Sequence, residues 1–299
     1  MPQDASIVYF SESQAAVYPP LQALMSVGSK VIEDYMPAFD ALLRSGLLVE
    51  IVTGVLSDLE AHRGRLDMSC EARDWRLLRT ELWTLGVRKL PTLSLDDTAT
   101  VTLDDGRRRT VAALPNDAMI GVLGTGRVTA NVYRATSRRD GQLFDRGHRV
   151  EFVQQRELAA GDHLVLRAAD DLVDFVAVTG EVVMIELALR DAMRIVWNYY
   201  PDTLQAAFAS SASVEATRME FAIELFQRFK ERKAVPTLLR IAREHTHHWV
   251  RWKAVKAMLH IDLDSGLAAL DVALRDPHDH VRKAAQTTLN NFRQANLVG

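Results

Sequence analysis

Histidine is unevenly distributed along this chain. Six of the nine histidines lie in one stretch, at His245, His247, His248, His260, His278 and His280. Two His-x-His pairs in this stretch occupy matching positions of a segment that is written twice, so they could meet on one rim. Neutral imidazoles brought together could bind a transition metal ion, or could titrate near pH 6.5. The candidate metal ligands are therefore His245, His247, His278 and His280, with local turn hydrogen bonds as the alternative.

Two tryptophans follow the first of these pairs. Trp249 and Trp252 lie on either side of Val250-Arg251 at the start of a predicted helix. A tryptophan exposed beside an arginine is typical of interface hot spots. The pattern predicts that Trp249, Arg251, Trp252 and the matching Arg282 contact a protein partner, and the alternative is that the tryptophans pack in a core.

A second group of candidate ligands lies in the middle of the chain. It consists of His148 and His163, with three carboxylates that could join them, Glu151, Glu157 and Glu186. His163 follows the turn at Gly161-Asp162, where its side chain could face the interior of a β barrel. The alternative is that both histidines are surface or turn residues.

Other catalytic patterns are missing from the sequence. It has no Gly-x-Ser-x-Gly elbow, no Walker-type phosphate loop and no kinase motif set, so no catalytic residue is predicted. Arg107-Arg108-Arg109 and Arg138-Arg139 are short basic runs at predicted turns, which favours solvated side chains over nucleic-acid binding. The sequence therefore favours a protein without enzymatic activity.

Composition and charge limit the class of protein. The 299 residues have a net charge of -3, which favours neither nucleic acid nor an anionic membrane as a partner. No uncharged apolar run approaches the roughly 20 residues that span a bilayer. The single cysteine, Cys70, excludes an intrachain disulfide, as is typical of cytoplasmic proteins. We expect a cytoplasmic protein without a signal peptide.

The elements that position these residues change in type along the chain, and an α+β multidomain protein is predicted. Residues 1–86 are predicted to be helical, because apolar residues recur every three or four positions. The four stripes begin at Leu21, Phe39, Leu48 and Trp75. Residues 87–200 contain about eight short alternating segments separated by turns, one of them at Asp104-Asp105-Gly106, which predicts an all-β domain.

The β region contains a turn-and-strand signature. Glu157 to Leu166, which contains Gly161-Asp162, is followed by the turn Thr179-Gly180-Glu181 and the apolar run Val182 to Leu187. This arrangement resembles cupin-type jelly rolls. The resemblance implies a barrel that binds a metal ion or a small molecule. However, the sequence lacks the His-x-His of the metal-binding members between Val87 and Leu189.

Residues 201–299 are predicted to form helical hairpins. The run from His247 to Ala254 is repeated, at a spacing of about 31 residues, as the run from His278 to Ala285. A less regular helix pair beginning at Pro201 could be a first, divergent copy. The segment from Asp276 to Ala285 resembles HEAT-like repeats.

The HEAT-like resemblance implies links between neighbouring repeats. In that family an acidic turn residue and an arginine of the second helix make the link, and Asp276 and Arg282 match this pattern. The earlier copy has Arg251, but His245-Thr246 stands where Asp276-Pro277 is found, so its acidic partner is in doubt.

These observations predict a non-catalytic scaffold or adaptor protein. Its HEAT-like repeats would bind a protein partner, and its cupin-like domain would pack or bind a small ligand. The alternatives are a metal-dependent cupin-type enzyme, an oxygenase or isomerase, and a small-molecule sensor. A transition metal ion is the one candidate cofactor.

Overall fold

The structure is a computed structural model that describes residues 8–51, 74–94, 108–190 and 193–294. Cys70 and the predicted turn at Asp104-Asp105-Gly106 lie outside these residues. The chain divides into two compact units, Met1–Ser210 and Ser211–Gly299. The first unit therefore contains both the predicted N-terminal helices and the predicted β domain.

Short helices follow the first strand of the first unit. They are α1 (Glu12–Ala15), α2 (Pro19–Val27), a 3-10 turn (Ile32–Tyr35) and α3 (Met36–Arg44), and residues 47–51 begin another helix. Proline at the first turn of both α2 and α3 suits a helix start, where its missing N–H is not needed. The predicted stripes at Leu21 and Phe39 are confirmed, since both side chains are buried.

The fourth predicted helix is wrong, because this segment forms the hairpin of β2 (Asp74–Arg79) and β3 (Trp83–Lys89). The apolar residues from Trp75 to Leu85 have helical spacing, but Trp83, Leu85 and Val87 are buried on one face of a strand. Thr80 closes the turn, because its hydroxyl accepts from the backbone N–H of Leu82 and of Trp83. The boundary predicted at residue 86 thus falls inside β3.

The first unit is built on a six-stranded sheet in the order β1-β2-β3-β10-β5-β8. The strands not yet named are β1 (Val8–Phe10), β5 (Ala118–Gly124), β8 (His163–Leu166) and β10 (Val182–Leu189). Alternate residues of β10 face opposite sides of the sheet. Ile185 and Leu187 join the core formed with α2 and α3, and Val182 and Met184 join a second core.

A three-stranded sheet shares that second core. Its order is β7-β6-β9, with β6 (Arg127–Ala135) paired antiparallel to both β7 (Val150–Leu158) and β9 (Asp171–Thr179). Val128 and Ala130 of β6 pack in this core with Ile120 of β5 and Leu164 of β8. These two sheets of the predicted β domain thus share one core, and the helices cover the other face of the larger sheet.

A third sheet ends the first unit. Its order is β12-β11-β4, formed by β4 (Val111–Ala112), β11 (Ile195–Tyr199) and β12 (Ala206–Ser211). The structure has β12 where a helix was predicted after Pro201. Leu204 has a positive φ of 57°, and Tyr200 and Gln205 are hydrogen-bonded across the turn, so the chain reverses into a strand there.

From Ser213 onward, the described part of the second unit consists of helices and the turns that join them. Its helices are α4 (Val214–Phe229), α5 (Val235–Glu244), α6 (His248–Ile261), α7 (Leu263–Ala273) and α8 (Asp279–Gln294), with a 3-10 turn at Arg232–Ala234. Ser213 caps α4 as predicted, since its side chain accepts from the N–H of Ala216. The repeated positions Ala254 and Ala285 are fully buried, as a close helix approach requires. In the described part of the chain, no helix has the length and hydropathy needed to cross a membrane.

We expect Gly266→Ala to destabilise the second unit, although alanine normally stabilises a helix interior by about 1 kcal/mol over glycine. A Cβ at position 266 of α7 would lie 2.5 Å from the Cα of Leu259 and 2.6 Å from its backbone nitrogen in α6. Backbone cannot yield as a flexible side chain does, and overpacking costs about 1–3 kcal/mol.

Urea unfolding of the two proteins measures this loss. Gly141→Ala is the control for the substitution itself, because a Cβ there meets nothing closer than 3.6 Å. A Gly266→Ala protein more stable than the parent would contradict the close approach of α6 and α7.

Candidate functional site

The two copies of the repeat place the same hydrogen bonds at the same positions. Arg251 of α6 donates from Nη1 to the carbonyl oxygens of His245 (2.7 Å) and Thr246 (3.4 Å). Arg282 of α8 donates from Nη1 to those of Asp276 (2.7 Å) and Pro277 (2.9 Å). Each arginine therefore closes the turn that precedes its own helix.

In the first turn, His245 occupies the position that Asp276 occupies in the second turn. The N–H of His247 donates to Nδ1 of His245 at 3.1 Å, and the N–H of His278 donates to Oδ1 of Asp276 at 2.7 Å. Because an unprotonated imidazole nitrogen accepts a hydrogen bond as a carboxylate does, the turn forms without an acidic residue. This resolves the doubt that His245-Thr246 raised in the sequence.

Arg251 also links the two turns to each other. Its Nε and Nη2 each donate at 2.7 Å to a different carboxylate oxygen of Asp276. Both side chains are buried, at 8% and 4% exposure. Burial alone would raise the pKa of Asp276, but the hydrogen bonds and the charge of Arg251 outweigh it, and that pKa lies below its ordinary value. The carboxylate is therefore ionised and paired.

The arginine that pairs with Asp276 differs from the one that the family pattern suggested. Asp276 and Arg282 were predicted to form the link between repeats. However, Arg282 donates to the backbone oxygens of Asp276 and Pro277 and to the carboxylate of Asp279, and not to the carboxylate of Asp276. The side-chain pair runs instead from Asp276 to the preceding copy.

Six rings lie side by side along the two turns, and we call this set the ring ridge. The centroid distances from ring to ring are 5.5, 4.6, 5.1, 3.6 and 5.6 Å, in the order His245, His247, Trp249, His248, His278, His280. His248 and His278 stack in parallel, with an interplanar angle of 1°. The ridge is half-buried over most of its length, His248 is buried and His280 is exposed.

The buried environment keeps the stacked histidines neutral. Burial, the neighbouring His278 and Arg251 lower the pKa of His248 to about 4. Burial is also the main cause that lowers the pKa of His245 and of His278. Protonating His248 would place a charge against another imidazole at 3.6 Å and near a guanidinium.

The ring ridge contains all four predicted metal ligands, His245, His247, His278 and His280. However, among the residues that the structure describes, no group of three or more histidine, cysteine or acidic side chains is placed to hold a metal ion. Parallel stacking of His248 and His278 explains this in part, because the nitrogen lone pairs of stacked rings lie in parallel planes and do not converge on one ion. The arrangement gives the predicted metal site no support.

The predicted partner-binding residues are placed differently from one another. Arg251 is buried in the ion pair with Asp276, so it does not present its charge to a partner. Trp249 and Trp252 are half-buried against the repeat core, and the indole N–H of Trp249 donates to Glu220 at 3.0 Å. Arg282 remains 41% exposed. Packing is thus the main role of the first three.

The two candidate ligands of the β region do not share a site. Nδ1 of His163 lies 3.0 Å from the carboxylate of Asp40, and its ring packs edge-on against Phe39. Leu164 and Leu166 take the inner face of β8, so His163 faces helix α3 and not the interior between the sheets. The predicted inward orientation of His163 is wrong.

His148 belongs to a buried hydrogen-bond chain that the sequence did not reveal. Its Nε2 lies 2.7 Å from the carbonyl oxygen of Ser137 and therefore carries the proton. Its Nδ1 accepts from the hydroxyl of Tyr199 at 3.0 Å, and that oxygen accepts from Nε of Arg139 at 2.8 Å. Arg139 was predicted to be solvated, yet it is only 3% exposed, and two carbonyl oxygens satisfy its Nη1.

Comparison with known proteins bears on the second unit. The model of the HEAT repeats family matches residues 202–290, which contain the described helical repeats. No curated protein matches this chain. A solved structure titled as the conserved SPY1581 protein of unknown function from Streptococcus pyogenes is 12% identical, over 44% of this chain and 91% of that one. The TM-score of this comparison is 0.22.

We expect Arg251→Ala to lower the free energy of unfolding by about 3–5 kcal/mol, because Asp276 would stay buried without a cation. Arg282→Ala is the matched control. It removes the same contacts to turn carbonyls but no buried ion pair, so it should cost roughly 1 kcal/mol. Chemical denaturation measures both losses, and equal losses would contradict the role of the pair.

We also expect the stability of the second unit to fall as the pH is lowered from 6.5 to 4. His248 has a folded pKa of about 4 against 6.5 when unfolded, so the unfolded chain binds more protons in this window. This shift in the pKa of His248 amounts to roughly 3 kcal/mol of stability, and the contribution of His248 changes no further once the pH is below 4.

Thermal unfolding across this pH range tests the expectation. His248→Gln should flatten the dependence, and His260→Ala, at an exposed histidine of α6, should leave it as in the parent. A His248→Gln protein with the full parental pH dependence would show that the stacked pair is not its source.

Proposed function

We propose that this chain is a non-catalytic scaffold or adaptor protein of the cytoplasm whose C-terminal repeats bind a protein partner. The observation that carries the proposal is the match of the HEAT repeats family to residues 202–290, a segment whose helices enclose a core of their own. HEAT repeats generally mediate protein–protein interactions. The net charge of -3 favours a protein over a nucleic acid or an anionic membrane as the partner.

The ring ridge is the surface we assign to this partner. Its half-buried rings offer flat apolar area with little conformational entropy to lose, as in the hot spots of protein interfaces. Arg282, which is 41% exposed and paired with Asp279, adds a guanidinium group two residues after His280 at one end. The buried pair of Arg251 and Asp276 holds the two turns in register, so the rings are ordered before a partner arrives.

For the β domain we propose a cupin-like jelly roll that packs or holds a small ligand. The strand order supports this. One sheet contains β3-β10-β5-β8, and the other contains β7-β6-β9, with Leu93 bridged to Val178 of β9. If the segment at Leu93 is counted as the second of eight strands, the two orders become 1-8-3-6 and 5-4-7-2, the arrangement of two interlocked Greek keys.

The metal-dependent cupin enzyme gains no observation in its favour. His148 and His163 are engaged by different partners, Tyr199 and Asp40. The described residues thus do not fit the ligand set of a metal cupin. The alternative of a small-molecule sensor is likewise not supported by a ligand site among the residues that the structure describes.

We expect the doubly substituted His247→Ala/His280→Ala protein to capture at least about tenfold less partner than the parent. His260→Ala, which removes an exposed histidine outside the ridge, is the control and should capture as the parent does. The full-length tagged protein would be used with lysate of the source organism, with capture quantified by mass spectrometry. The captured protein would then be purified and its affinity measured by calorimetry.

Two outcomes would count against this assignment. Equal affinity of the parent and the double variant would exclude the ring ridge as the contact surface. If no protein is captured by the parent above the level of an unrelated bait, the adaptor function itself is contradicted.

A further inference from the structure

The inner face of the six-stranded sheet changes in character from one end to the other. We call inner the face that the sheet of β7, β6 and β9 packs against. Toward β5 and β8 this face is apolar, with Ile120 and Leu164 in the second core. Toward β2 and β3 it carries half-buried charged side chains. Charges between two sheets point to a function, because removing them from water costs free energy.

The register of four strands places two of these charged residues in one row. Arg76 of β2 is opposite Gly86 of β3. Gly86 is opposite Glu186 of β10, which is in turn opposite Ile120 of β5. Residues opposite one another in a sheet point to the same face, and Ile120 belongs to the second core. Arg76 and Glu186 therefore both face inward.

Two further arginines lie on either side of this row. Arg88 is two residues after Gly86 on β3, so it points to the same face. Arg79 is opposite Thr84, which is two residues before Gly86. All of these side chains are half-buried, as Arg76 and Glu186 are. The inner face thus carries three guanidinium groups around Gly86.

Acidic residues are fewer than arginines in these rows. Besides Glu186 there is Asp74, which is opposite Arg88 in the register. The residues that β9 contributes to the second core are apolar, at Val173, Phe175 and Val178. The three arginines and Glu186 also have contacts within the chain, so a ligand would join an ordered cluster.

Gly86 leaves the middle of the row without a side chain. Neighbouring strands are about 4.8 Å apart, so the Cα atoms of Arg76 and Glu186 are roughly 10 Å apart with only the glycine between them. Thr84 and Arg88 each lie about 7 Å from Gly86 along β3. A small ligand over Gly86 is therefore within reach of guanidinium groups on one side and of a carboxylate on the other.

We propose that Gly86 is the floor of a binding site for a small hydroxylated acid. Arg76 and Arg88 hold its phosphate or carboxylate group, because a guanidinium donates two parallel hydrogen bonds to either one. Glu186 accepts a hydrogen bond from a hydroxyl of the same molecule. What supports the site is the register of the strands rather than a preformed cavity.

This inference rests on the proposal that the β domain holds a small ligand, and it names the place and the class of that ligand. It assigns no sensing role to the β domain. It is also separate from partner binding at the ring ridge, which involves the second unit alone.

Calorimetric titration of the full-length protein tests the site. The probes are glycerol phosphate and glycerate at equal ionic strength, with glycerol as the neutral control. The parent should bind one of the two acids and not glycerol, and the acid that binds identifies the anionic group. Arg88→Gln should weaken this binding at least about tenfold, because it removes charge-assisted hydrogen bonds. Arg76→Gln should do the same.

Two further variants separate this site from a general effect of charge. Arg127→Gln removes an arginine of β6 that is 64% exposed and paired with Glu157, so it should bind as the parent does. Glu186→Gln should lower the preference for the hydroxylated acid over methyl phosphate or propionate, which lack the hydroxyls. Circular dichroism confirms that each variant is folded.

Two results would overturn the proposal. Equal affinity of the parent and both arginine variants would exclude this site, while the β domain would still hold a ligand at another place. A parent that binds neither acid at about 10 mM, well above a millimolar Kd, would exclude this class of ligand. Capture of a protein partner by the repeats is measured separately, so neither result bears on the adaptor function.

Discussion

The buried ion pair between Arg251 and Asp276 is the interaction on which the repeat unit depends. It joins the turn before α6 to the turn before α8, and both of its charges are removed from water. Such a pair is costly to form, and it persists here because every contact is a direct hydrogen bond to a group held by a turn. The ion pair therefore fixes the position of one copy of the repeat relative to the next more than it adds to net stability.

That register has consequences at the surface. With the turns fixed, His248 and His278 stack at 3.6 Å, and the rings on either side continue the series. The same desolvation that keeps His248 neutral makes the stack sensitive to acid. The packing of two equivalent turns thus causes both the stacking of His248 on His278 and the lowered pKa of His248. A partner would meet a surface that is ordered before binding.

Much of the architecture could be predicted from sequence, because repeated motifs and alternating strands carry their own periods. The match between Val250-Arg251 and Val281-Arg282 identified the repeats, and the run from Val182 to Leu187 identified a buried strand. The helix predicted from Trp75 to Leu85 was wrong, because apolar residues spaced three and four apart can also occur in a hairpin. Burial of Arg251 and of Arg139 was also missed, since a buried ion pair or hydrogen-bond chain depends on partners distant in sequence.

Arg251 and Asp276 are predicted to be energetically coupled across the two turns. A double-mutant cycle with Arg251→Met and Asp276→Asn, measured by urea unfolding of the full-length protein, tests it directly. We predict a coupling free energy of about 2–3 kcal/mol, as found for side chains in one buried network. A coupling energy below about 0.5 kcal/mol, the range of independent sites, would contradict the account.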